Sequence, residues 1–193
     1  MINTIKFELY DPVDAGEDWA VDNNYGVNAV EIYIDGEPLL DMLSRFEISY
    51  YISKGIKIDT RELLHGHLDP KSLYFYLSDA LEEGSYSNLY GAFLFSCSSC
   101  GDPGCNGAIV HITGDDGFVY WKDFEHSHWG DISYDLSFTF EKSQYEAALS
   151  ELQSMIPRTE RTDCLKMWKT IKKSRRYAYQ SRHYKRSRAS RDE

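Results

Sequence analysis

Residues 107–124 read Gly-Ala-Ile-Val-His-Ile-Thr-Gly-Asp-Asp-Gly-Phe-Val-Tyr-Trp-Lys-Asp-Phe. Two runs rich in β-branched and aromatic side chains, Gly107–Thr113 and Phe118–Phe124, flank Gly114-Asp115-Asp116-Gly117. Glycine and aspartate tolerate the tight backbone of a short hairpin turn, so this stretch predicts two antiparallel strands. Strands joined by short turns pair antiparallel, which sets the class of everything around them.

Downstream, Tyr134–Phe140 alternates Leu136, Phe138 and Phe140 in strand fashion, and Ser143–Met155 spaces Tyr145, Ala148, Leu149 and Leu152 as one helical face. Upstream, Leu89–Ser96 reads as a strand leading into the cysteine loop. Nearer the N-terminus, Thr4–Tyr10 alternates Ile5, Phe7 and Leu9, and Ala29–Ile34 stops at the turn dipeptide Asp35-Gly36. Pro38 opens a helix carrying Leu39, Leu40, Met42, Leu43 and Phe46 as core, and Tyr50–Asp59 reads as a further strand. Asp69-Pro70 is an N-cap followed by N1, ahead of Leu73, Tyr74, Leu77 and Leu81, with Gly84 as the stop. The expected fold is α+β: a mostly antiparallel sheet, a meander in the second half, packed by two or three helices, with a cysteine knuckle at a hairpin tip.

The charge is divided along the chain. Residues 1–160 hold 9 basic and 28 acidic side chains, whereas residues 161–193 hold 12 basic and 3 acidic. We therefore read residues 1–157 as an acidic domain and 158–193 as a basic helical or disordered tail. Between Phe7 and Ser44 stand ten carboxylates and no Lys or Arg. Asp11, Asp14, Glu17, Asp18 and Asp22 are oxygen donors of the type calcium takes, but their spacing matches no EF-hand, and a solvated acidic loop is the favoured reading. Apolar residues make up 42% of the chain, enough for a core, and no apolar run reaches the length of a membrane span. The N-terminus has no signal-peptide pattern, so the expectation is a cytoplasmic protein with reduced thiols.

Three of the four cysteines fall in Cys97-Ser98-Ser99-Cys100-Gly101-Asp102-Pro103-Gly104-Cys105. A Cys-x-x-Cys turn places two sulfurs on one tetrahedral ion, and Gly101 and Gly104 allow the bends that return the third. The expected metal is zinc, held by Cys97, Cys100 and Cys105. His111, His126 and His128 are the local candidates for the fourth ligand, and His128 is the one assigned. The alternative is a set of thiols in a Gly-Pro turn with no metal. A redox pair is a poorer reading, because the motif does not open a helix that would lower a thiol pKa.

Cys100-Gly101-Asp102-Pro103-Gly104-Cys105, Val119-Tyr120-Trp121-Lys122-Asp123-Phe124, His128 and Phe138-Thr139-Phe140 with Tyr145 resemble a family of uncharacterised bacterial proteins. That family shares a Cys-Gly-x-x-Gly-Cys turn, a Val-x-Trp-x-x-Phe strand, a following His and a final strand–helix. The likeness spans about residues 29–152; it implies the domain boundary and no particular activity.

Two other histidine pairs bear on function. His65-Gly66-His67 is short enough to be a chance pattern, and a structural role outweighs a metal site there. His126-Ser127-His128 with Asp131 and Asp135 has the donors of a hydrolytic centre, but no His-Glu-x-x-His spacing supports it. The chain contains no phosphate-binding glycine loop and no nucleophile elbow.

Beyond Pro157, Lys172, Lys173, Arg175, Arg176, Tyr177, Arg182, Lys185, Arg186 and Arg188 mix cations with rings, a composition suited to phosphates and bases. The leading functional expectation is a non-catalytic binding protein. Its acidic, aromatic-rich domain would dock on a basic protein partner, in the manner of an immunity protein, an antitoxin or a subunit of a defence complex. The alternative is a nucleic-acid-associated protein working through its tail, and a small metal-dependent hydrolase comes third.

Overall fold

Alternation at the N-terminus builds the first strand pair. In the computed structural model, which describes residues 1–11, 29–56, 65–98, 100–127 and 132–157, β1 (Ile5–Tyr10) pairs antiparallel with β2 (Ala29–Ile34). Ile5 lies opposite Ile34 and Phe7 opposite Ile32, all four buried, so one face of this ribbon belongs to the core. Asp35 (φ 53°) and Gly36 (φ 83°) are both left-handed, as a two-residue hairpin turn requires. The turn is held from outside, because the Asp35 carboxylate accepts bonds from the Asn3 side chain and the Thr4 N–H, each at 2.7 Å. β3 (Glu37–Pro38) pairs back for only two residues before helix α1 (Leu39–Ser53) begins, as expected at Pro38.

Over Tyr50–Ser53 the expected strand is replaced by the last turn of α1. Tyr50, Tyr51 and Ile52 favour strands on their own, but Leu43, Glu47 and Tyr51 recur every four residues along one buried helix edge, and tertiary packing prevails. Residues 57–59 of that expected strand lie outside the described residues.

The two-residue strand β4 (His65–Gly66) precedes α2 (Pro70–Ala80). The Asp69 carboxylate accepts from the N–H groups of Lys71 and Ser72, with Pro70 at the first helical position. Leu73 and Leu77 are buried, whereas Leu81 caps the end and is exposed. The single strand expected over 89–96 is instead three pieces: α3 (Tyr86–Tyr90), β5 (Ala92–Phe93) and β6 (Ser96–Cys97). Gly91 makes the break. Its φ of +86° is left-handed, and a Cβ there would stand 2.3 Å from the Ile109 side chain. β5 joins the meander, while β6 leaves it to pair with β4.

After α4 (Pro103–Asn106), the hairpin expected from residues 107–124 forms as β7 (Ala108–Gly114) and β8 (Phe118–His126). β9 (Ser133–Tyr134) and β10 (Phe138–Glu141) both pair with β8, so the strand expected over 134–140 is interrupted at residues 135–137. The resulting five-stranded sheet is antiparallel, in the order β10-β8-β7-β5 with β9 beside β8. α5 (Lys142–Met155) follows, with Tyr145, Ala148, Leu149 and Leu152 buried. The Trp121 indole N–H donates to the Tyr145 hydroxyl at 3.3 Å in the centre of the core, and burial pushes the Tyr145 phenol pKa well up.

One irregularity decides which side chains reach the interior. Ile109 lies opposite Glu125 but His111 lies opposite Lys122, so β8 carries one residue more than its partner, a β-bulge. Asp123, at φ 51°, is left-handed at this point. Val119 and Trp121 face inward before the bulge, and Phe124 and His126 after it. The inward set thus passes from odd to even positions.

The chain's contacts cluster into two units, Met1–Met155 and Ile156–Glu193. Among the described residues no helix is long and apolar enough to cross a membrane.

Candidate metal centres

The cysteine loop is folded by its own backbone. The Gly101 N–H donates to the Cys97 carbonyl at 2.9 Å, and the N–H groups of Cys97 and Cys105 both donate to the Asp102 carbonyl. Gly101 takes φ 72°, as expected of its place in the bend. The Asp102 side chain caps α4 by accepting from the Gly104 N–H at 2.8 Å. At the base of the loop, a Cβ on Gly107 would stand 2.3 Å from the Phe95 carbonyl oxygen, so only glycine lets the two ends approach. The result is convergence: the sulfurs of Cys97, Cys100 and Cys105 lie within 4.8 Å of one another, with Cys97 buried and the other two exposed. Sharing hydrogens with Cys100 and then Cys97 pushes the Cys105 thiol up to about 11. Three thiols so placed can hold a soft or borderline metal ion.

Of the candidate fourth ligands, His111 sits on β7 opposite Lys122, outside the sulfur cluster. His126 belongs to a different group. His128 lies outside the described residues, as do Asp131, the acidic stretch at residues 12–28 and every tail residue from Lys172 to Arg188. Asp135 is exposed, and among the described residues His126 is the one member of the candidate hydrolytic cluster that belongs to a donor group.

That second group unites one member from each histidine pair. Glu47 of α1, His65 of β4 and His126 of β8 bring one ligand atom apiece within 4.8 Å of each other. All three are sealed from solvent, at 1%, 5% and 3% exposure. His65 is oriented at both nitrogens. Nδ1 lies 2.9 Å from the Asn106 carbonyl, which can only accept, so Nδ1 carries the hydrogen. Nε2 lies 2.5 Å from Glu47 Oε1. The Tyr134 hydroxyl donates to the same Glu47 oxygen and stands 3.5 Å from His65 Nε2. Burial alone would raise the Glu47 carboxyl. The bonds from His65 and Tyr134, with the nearby His126, outweigh it and hold the pKa below the usual carboxylate value. The same carboxylate and the same burial push the Tyr134 phenol far up.

His67 takes a separate path. Its Nε2 lies 2.9 Å from Glu31 Oε2 and its ring packs 4.7 Å from that of Tyr10. His65 and His67 therefore serve different carboxylates, and both rings pack against Phe95.

The cysteine loop and the buried group are neighbours in the backbone. His65 is the register partner of Cys97, and the carbonyl that orients His65 belongs to Asn106, the residue after Cys105. The sequence reading missed Glu47 and Tyr134. Glu47 did leave a signal: an acid standing between Leu43 and Tyr51 on an apolar helix edge. No protein-family model matches the chain, and neither a curated protein nor a solved structure matches it.

Proposed function

We propose that the protein is a zinc-stabilised binding module that works without catalysis in the cytoplasm. Its acidic surface would dock on a basic protein partner, as immunity proteins and antitoxins do. The observation that carries the metal part is the convergence of the Cys97, Cys100 and Cys105 sulfurs within 4.8 Å. Three thiolates suit zinc, and the loop that bears them is tied to β4 through the pairing of Cys97 with His65. The docking part is supported by the ten carboxylates between Phe7 and Ser44, a density that steers a cationic partner and raises its association rate.

Native mass spectrometry tests the first part: the chain should carry zinc that is lost on Cys100→Ser and Cys105→Ser together. For the second part, the partner captured by cross-linking should bind more slowly as salt rises, and more slowly to Asp41→Lys than to the unaltered chain. A partner whose association ignores both salt and Asp41→Lys removes the electrostatic reading.

The 12 basic residues among positions 161–193 favour a second reading, nucleic-acid contact through the tail. It requires a salt-sensitive affinity for RNA or DNA that disappears when residues 161–193 are deleted.

A further inference from the structure

We infer that Glu47, His65 and His126 form a second metal site, a buried two-imidazole, one-carboxylate centre for a divalent transition ion of the zinc class. It uses none of the cysteines.

Donor chemistry leads to this assignment. The Asn106 carbonyl holds a hydrogen on His65 Nδ1, so in the neutral ring Nε2 presents a lone pair. That lone pair faces Glu47 Oε1 at 2.5 Å, and two electron-rich atoms stay so close only with something positive between them. A proton answers that need for one pair of atoms, whereas a metal ion would also engage the His126 donor atom, which lies within 4.8 Å of both. Three buried donors around one point suit a cation with several coordination positions, and two imidazoles with a carboxylate are a recognised set for zinc.

The outer partners match as well. Metal-bound histidines hand their other N–H to a carbonyl, and metal-bound carboxylates are themselves hydrogen-bonded. His65 donates to Asn106, and Glu47 accepts from Tyr134. All three donors are buried and come from α1, β4 and β8, so a bound ion would tie these elements together away from solvent, a stabilising role.

Cobalt distinguishes this centre from the cysteine loop. The full chain carrying Cys97→Ser, Cys100→Ser and Cys105→Ser should still bind one cobalt ion, with ligand-field bands and no thiolate-to-cobalt charge-transfer band. Adding His126→Ala should abolish that binding. A triple-serine chain that folds yet takes up no cobalt or zinc overturns the inference, even if the unaltered chain binds metal through sulfur. Should the triple variant not fold, cadmium NMR on the unaltered chain decides: two resonances are expected, one of them in the nitrogen–oxygen range. A single thiolate resonance, with both His65 ring nitrogens protonated in nitrogen NMR, means that a proton occupies the site and overturns the assignment.

Discussion

Replacing Tyr134 by Phe removes a single oxygen from the centre of the domain. The hydroxyl is buried and donates to the Glu47 carboxylate, itself 1% exposed. A hydrogen bond to a charged acceptor contributes about 1.5–3 kcal/mol. Part of this is offset, since the variant no longer has to bury a hydroxyl, and that relief is worth about 1 kcal/mol. Glu47 keeps His65 as its other partner, so the carboxylate is not stranded. The expected net loss is therefore about 0.5–2 kcal/mol, a factor of roughly 2–30 in the folded-to-unfolded ratio. With a urea m-value of about 2 kcal/mol/M, the midpoint should fall by about 0.25–1 M. Urea unfolding followed by tryptophan fluorescence reads it directly, because Trp121 is buried in the same sheet. If a metal occupies the centre, affinity at that site should also drop about 10–100-fold, the usual effect of losing an outer partner. An unchanged or higher midpoint at constant m would refute the reasoning, since Tyr134 could not then be supporting an ionised Glu47.

Trp121→Ala should cost about 3–5 kcal/mol in the same assay, because it empties a fully buried site and removes the bond to Tyr145. Acid should loosen the N-terminus through Asp35. The bonds from Asn3 and Thr4 hold its pKa below the ordinary 3.8, so its contribution is complete above that value and fades as pH falls through the lower folded one. Amide exchange at Thr4 should accelerate below about pH 4, and Asp35→Asn should show less of this acid response. Cys100→Ser together with Cys105→Ser, which leaves Glu47, His65 and His126 in place, should alter the His65 ring nitrogens through the Asn106 carbonyl; unchanged His65 signals in nitrogen NMR would show the two regions to be independent.

The parts of the fold legible in the sequence were those whose cause is local. The 107–124 hairpin follows from its turn residues, α2 from Asp69-Pro70, and α5 from the spacing of Tyr145, Ala148, Leu149 and Leu152. Errors arose where distant chain took over. Tyr50–Ser53 is helical because Tyr51 completes a buried edge, and residues 89–96 are broken because Gly91 must pass close to Ile109. The candidate sites divide in the same way. The three cysteines lie within nine positions, and a sequence reader meets them together. Glu47, His65, His126 and Tyr134 are up to 87 positions apart, and each looks ordinary alone. Glu47 comes from α1, His65 from the β4–β6 pair, and His126 and Tyr134 from the β8–β9 pair, so distant segments of chain supply the cluster.

The position of His126 depends on a matter of parity. Strict alternation from Val119 and Trp121 would send an even-numbered residue to solvent; the single inserted step at Asp123 reverses that and turns the imidazole toward Glu47. A related chain with the same five positions from tryptophan to histidine but no bulge would keep its hairpin and still look alike in composition, yet would present that ring to water. The bulge on that one strand, more than the presence of the histidine, is thus the trait by which kin possessing this interior cluster can be told from kin without it.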